Sequence, residues 1–118
     1  MRGVGRGNKY SMQHPQHALF IQAIQDKKKI SITFHSAKDG MDVTRIGAPM
    51  DFGPHARFKD KSYRYHVWDF SSPSGPHTEP LEASQIRSIS LLADQFDPAD
   101  FVTWTPKWHV PRNWGQLS

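Results

Sequence analysis

Apolar residues recur along the chain in two rhythms, and the change from one to the other divides it. Between Pro15 and Lys28, Leu19, Phe20, Ala23 and Ile24 fall at the three-to-four-residue spacing of one helical stripe. Proline suits a first helical turn, so a helix is expected over 15–28. From Ile30 the spacing drops to two, and Ile30, Ile32 and Phe34 share one face of a strand over 30–35. Lys38, Asp39 and Gly40 supply a hairpin turn, and the return strand is expected over 41–46. Gly47, Ala48 and Pro49 then bend the chain, with a further short strand over 50–52 before Gly53 and Pro54. Tyr63 to Phe70 alternates again, with Tyr63, Tyr65 and Val67 on one face and Arg64, His66, Trp68 and Phe70 on the other. Large side chains on both faces place this strand inside a sheet rather than at its edge. After the loop from Ser71 to Pro76 come two short segments, over 77–83 and 86–92, the second apolar at Ile86, Ile89, Leu91 and Leu92.

One helix followed by about five short strands at hairpin spacing makes the chain mainly β, of the α+β class. The expected architecture is an N-terminal helix capping a small antiparallel β-barrel over 13–96. Met1 to Ser11 is too rich in glycine to hold a helix, so 1–12 is expected to be a disordered basic arm. Its Gly3, Gly5 and Gly7 lack the preceding strand and following lysine of a phosphate loop; such an arm would add only non-specific attraction to nucleic acid. Past Phe96, the stretch from Asp97 to Phe101 has room for one helical turn. Pro106 and Pro111 keep the Trp/Pro-rich tail over 97–118 extended. Trp104, Trp108 and Trp114 then either fold back over the barrel, pack on a second copy, or stack on a nucleic acid or peptide.

Composition narrows the function. A length of 118 residues bounds the chain to one domain, and the absence of cysteine excludes disulfides, thiolate zinc sites and cysteine nucleophiles. No apolar run reaches membrane length and no secretory apolar segment opens the chain, so a cytoplasmic protein without a membrane partner is expected. The net charge of +4 is unevenly spread. Arg2, Arg6, Lys9 and Lys27 to Lys29 face only Asp26 in the first part, whereas Glu79, Glu82, Asp94, Asp97 and Asp100 face only Arg87 later. That asymmetry favours an anionic partner for one surface. Lys27 to Lys29 also have a purely structural use, complementing the dipole at the helix C-terminus.

No Gly-x-Ser-x-Gly elbow, His-Glu-x-x-His helix or phosphate loop occurs, so no catalytic residue and no cofactor is assigned. His14 and His17 lack further nearby ligands and are not expected to hold a metal. His66 and Asp69 fall on opposite faces of their strand. Binding chemistry is better represented. Arg45, Arg57, Lys59, Lys61 and Arg64 would converge on one barrel face, with Tyr63 or Tyr65 stacking a base. This set fits a nucleic acid, single-stranded because no recognition helix is evident, or a phosphate-bearing small ligand. Arg45 has a second reading, as a tie between strands through a carboxylate such as Asp69. The competing class is a self-association module, in which the tryptophan tail and the aromatic strand form a homodimer interface.

Several short motifs carry a family resemblance from Leu19 to Phe96. Ala23-Ile24 sits in the apolar helix, ahead of a basic patch and a strand. Arg45 stands four residues before Pro49, Tyr63 to Asp69 forms an aromatic strand with an acidic end, and Ser84 to Leu92 joins a charged strand to an apolar run. In this order they resemble the WYL domain, the small Sm-like β-barrel attached to many bacterial transcriptional regulators. The signature tryptophan and leucine are here Tyr63 and Tyr65, the middle tyrosine is Arg64, and Gln85 replaces an arginine. The resemblance implies a regulatory module that binds a ligand or nucleic acid through clustered arginines, of which Arg45 carries over.

Overall fold

The computed structural model describes residues 12–118, so the basic arm expected over 1–12 lies, Met12 apart, outside the described residues. The helical stripe forms α1 (His17–Asp26), which buries Phe20, Ala23 and Ile24. It is shorter than expected at both ends. Ahead of it, the His14 backbone N–H donates to the Tyr65 hydroxyl (2.9 Å) and His14 Nε2 donates to the Ile86 carbonyl (3.0 Å). At its end, Lys27 takes the left-handed conformation (φ 55°) and its N–H bonds to the carbonyls of Ala23 and Ile24. That residue stops the helix and redirects the chain. Lys28 and Lys29 therefore open a strand instead of complementing the helix dipole.

β1 (Lys28–Ser36) and β2 (Met41–Pro54) form a hairpin, in register from Ser36 opposite Met41 to Ile30 opposite Gly47. The bend expected at 47–49 does not break the strand. β2 runs on for 14 residues, leaves β1 and pairs with β3 (Tyr63–Asp69), with a bulge between Pro49 and Asp51. A bulge is where a sheet tolerates a residue without an N–H. Gly47 allows the close approach, since a Cβ there would lie 2.5 Å from Val67 Cγ1. The residues that read as a chain break thus curl one long strand across two partners.

β4 (His77–Leu81) pairs with β3, and β5 (Ile86–Gln95) crosses back to pair with β1, giving the antiparallel order β4-β3-β2-β1-β5. A single 3-10 turn at Ala83–Gln85 joins them. The expected barrel is not closed: β4 and β5 are the two edges of an open five-stranded sheet. β4 is only five residues long and contains Pro80, which has no ladder donor, so it makes a poor partner for closure. The aromatic strand β3 lies inside the sheet, as its two bulky faces imply. No helix of the described residues is long and apolar enough to cross a membrane.

The core joins Phe20 and Ile24 of α1 to Ile30, Ile32, Met50, Tyr65, Val67, Leu81 and Ile89 of the sheet. The tail folds back and adds Phe101, Val102, Val110 and Trp114 to the same cluster. After β5, Asp97 Oδ1 accepts from the Ala99 N–H (3.0 Å) to cap the expected short turn, here Pro98–Asp100. Phe101 then stacks on Trp68, with ring centroids 5.4 Å apart. The anchor is Asp51, 3% exposed at the β2 bulge. Its carboxylate accepts from the backbone N–H groups of His109 (3.0 Å) and Val110 (2.9 Å) and pairs with Arg112 (3.2 Å). The Arg112 guanidinium lies against the rings of Trp108 and Trp114, which meet edge to face, 4.2 and 4.4 Å from their centroids, and donates to the Met50 carbonyl. Burial pulls its pKa down to about 10, which leaves it charged at neutral pH. Finally, Trp114 Nε1 donates to the Ile24 carbonyl (2.9 Å) near the end of α1.

Breaking a buried ion pair from one side leaves the other charge without its partner, at a cost of roughly 3–5 kcal/mol. Arg112→Ala is therefore expected to lower unfolding free energy by about that amount and to expose Trp108 and Trp114. Urea unfolding followed by tryptophan fluorescence measures both effects.

Candidate ligand trough

Two concavities, about 350 and 400 Å³, lie side by side where β1 turns into β2, and both are lined by Phe34, Ser36, Arg57 and Glu79. Together they form one trough. Arg45 of β2 and Asp69 and His77 from the ends of β3 and β4 line one half; Arg64 of β3, Phe58 and Glu82 line the other. Gly47 pairs with Asp69, and Arg45 is two residues earlier on β2, so strand alternation sends Arg45 and Asp69 to the same side. Arg45 Nε stands 3.3 Å from Asp69 Oδ2, with its terminal nitrogen 3.8 Å from Asp39. This is the strand tie that is its second reading. Asp69 is 2% exposed, and its Oδ1 accepts from the Ser71 N–H (3.0 Å).

Arg64 is 6% exposed and pairs with Glu82 (3.1 Å) and Asp60 (3.8 Å). Its guanidinium lies 3.6 Å from the Phe58 centroid. That ring is presented by the β2–β3 loop, where the Arg57 N–H donates to His55 Nδ1 (3.1 Å) and the Phe58 N–H to the His55 carbonyl (3.0 Å). The Nε atoms of Arg45 and Arg64 are both buried and neither completes a hydrogen bond, but Arg45 Nε keeps its ion-pair contact with Asp69, whereas both ion pairs of Arg64 run through a terminal nitrogen. Buried donors are normally satisfied, and leaving one without an acceptor costs about 1–3 kcal/mol.

The seven residues expected at the site separate. Arg45, Arg57 and Arg64 gather around the trough. Lys59 and Lys61 are exposed on a shallow depression with His55 and Phe58, outside it. Tyr63 packs edge-on against Phe52 (5.3 Å), also away from the trough. Tyr65 is 0% exposed and offers no face to a base. Its hydroxyl accepts from His14 and lies 2.8 Å from His17 Nδ1, and burial raises its pKa. Sequence alternation correctly sets Tyr65 apart from Arg64, but does not distinguish core from surface. Phe34, Asp69, His77, Glu79 and Glu82 were not singled out as site residues. Only the strand register brings them together, since it sets Asp69 opposite His77 and Val67 opposite Glu79.

On the trough wall, His77 Nδ1 lies 2.9 Å from the Gly75 carbonyl and Nε2 3.1 Å from Glu79. The Gly75 carbonyl, aided by the Glu79 carboxylate and opposed by burial, raises the His77 pKa above its ordinary value. A separate concavity of about 370 Å³ lies between sheet and tail, lined by His55, His66, His109, Trp104 and Trp108 among others. There His66 Nε2 donates to the Gly53 carbonyl (3.0 Å), and burial drives its pKa down to about 4.

A histidine whose folded pKa lies below its unfolded value binds more protons when unfolded. Stability is therefore full above pH 6.5 and falls as the pH drops from there towards about 4. For this one group the loss reaches on the order of 3 kcal/mol at the acid end. Burial lowers the pKa of His17 and His55 in the same direction. His66→Gln retains an amide donor for Gly53 and is expected to flatten the decline. Denaturant midpoints measured across this pH range for both proteins test it.

No family model, curated protein or solved structure matches this chain, so the WYL resemblance rests on the quoted residues alone.

Proposed function

We propose that the chain is a non-catalytic regulatory module, related to WYL domains, whose trough binds a small ligand through a phosphate or carboxylate group. The observation that carries this reading is the buried Nε–H of Arg64, which makes no hydrogen bond, in a trough it shares with Arg45, whose own Nε has only the ion-pair contact with Asp69. Beside them Arg57 is exposed, and no carboxylate among the described residues forms an ion pair with it. An anion entering between the three guanidinium groups would give the Arg64 donor an acceptor and gain charge-assisted bonds from Arg57.

The surroundings favour a small ligand over a polymer. Asp39, Asp69, Glu79 and Glu82 also line the trough, so its charge is mixed and does not form the continuous basic track that a nucleic acid backbone needs. Tyr65, one of the two proposed stacking rings, is core. Single-stranded nucleic acid remains the polymeric form of the same reading, with Lys59, Lys61 and Phe58 extending the contact. Self-association is the second reading; the open β5 edge and the exposed Ile46 and Leu91 favour it.

Calorimetric titration with pyrophosphate tests the small-anion reading. Binding is expected, with Arg57→Ala weakening it by about tenfold and Lys59→Ala by about twofold at most. Equal affinity for wild type and Arg57→Ala would contradict the proposal. A parallel salt series with a fluorescent oligothymidylate separates the polymer case, which predicts tighter binding and a steep loss of affinity as salt rises.

A further inference from the structure

We infer that Asp69, His77 and Glu79 form a divalent metal site on the trough wall, suited to Zn²⁺. One ligand atom from each lies within 4.8 Å of the others. The register builds the group: His77 is directly opposite Asp69, and Glu79 follows two residues later on the same side of β4. One imidazole nitrogen and two carboxylate oxygens make a donor set that zinc accepts, with water completing four-coordination.

The imidazole geometry fits a bound cation. Nδ1 faces the Gly75 carbonyl, which can only accept, so Nδ1 carries a proton. In the neutral ring the Nε2 lone pair then points at Glu79 Oε2, 3.1 Å away, where two acceptors oppose each other. Something positive belongs between them, either a proton or a metal ion. A backbone carbonyl on the far nitrogen is the usual support for a metal-ligating histidine, fixing both tautomer and ring plane. Asp69 is held in the same manner, with Arg45 on Oδ2 and Ser71 on Oδ1, so two of the three donors are oriented by groups outside the cluster. Arg45 offsets part of the negative charge, and two carboxylates with a neutral imidazole still leave a net anionic site. The inference rests on β3 and β4 and does not require an anion between Arg57 and Arg64.

The test is calorimetric titration of the full chain with Zn²⁺ in a non-coordinating buffer above neutral pH, checked by Co²⁺ absorption. His77 and Glu79 are partly exposed, so His77→Ala and Glu79→Gln are expected to keep the fold, which circular dichroism verifies. Wild type is expected to bind about one equivalent, and each variant to lose about tenfold or more in affinity. The Co²⁺ complex of wild type should show the visible bands of a four-coordinate ion, lost in His77→Ala. Absence of Zn²⁺ binding in wild type, or binding unchanged in a folded His77→Ala protein, overturns the inference.

Discussion

The buried Asp51 carboxylate is the interaction on which the shape of this molecule depends. It sits at the bulge that lets β2 change partners, and there it collects two backbone N–H groups and one guanidinium from the tail. A carboxylate removed from water needs such company, because desolvating it without partners costs several kcal/mol. The chain supplies them from almost sixty residues away in sequence. Closing that long loop costs entropy, and the reward is shared with Trp108 and Trp114, which both contact the guanidinium, and with Trp114 Nε1, which satisfies a helix carbonyl. The tail is consequently part of the core that holds the sheet in its curl.

The curl in turn decides where the cations go. Arg45, Arg64 and Arg112 all come from a chain whose charge is predominantly positive, yet each is drawn to a carboxylate inside or beside the sheet. Arg112 is fully engaged in structure. Arg64 is engaged through a terminal nitrogen and its Nε–H makes no hydrogen bond, while Arg45 meets Asp69 through Nε. Under the proposed function, a trough of this composition suits a compact anion that fits between fixed donors better than a long polyanion that slides along exposed lysines.

Much of the secondary structure was legible because local rules operate there. The stripe of Phe20, Ala23 and Ile24, the turn at Gly40 and the alternation through Tyr65 each depend on neighbours within a few residues. The places where expectation and structure part involve long-range partners. Gly47 and Pro49 have the composition of a chain break, but the space above Val67 and the bulge opposite β3 make them the bend of a single strand. Sheet closure failed for a similar reason: strand number and spacing do not reveal that the edges β4 and β5 never pair. At the site, the cationic residues were legible individually. Of their carboxylate partners only Asp69 was, as the tie to Arg45; Glu82 reaches Arg64 only through the fold, and nothing in the neighbourhood of Asp51 announces Arg112.

The central claim is that the Nε–H group of Arg64 awaits an anion, and it can be watched directly. In a nitrogen-15 NMR titration with orthophosphate, the Arg64 Nε–H resonance is expected to move and saturate, and that of Arg45, already beside Asp69, to move less. The Nε–H of Arg112, which already donates to the Val110 carbonyl, should stay in place and serves as an internal control. An Arg64 resonance that remains still, or that drifts no more than that of Arg112, would contradict the account.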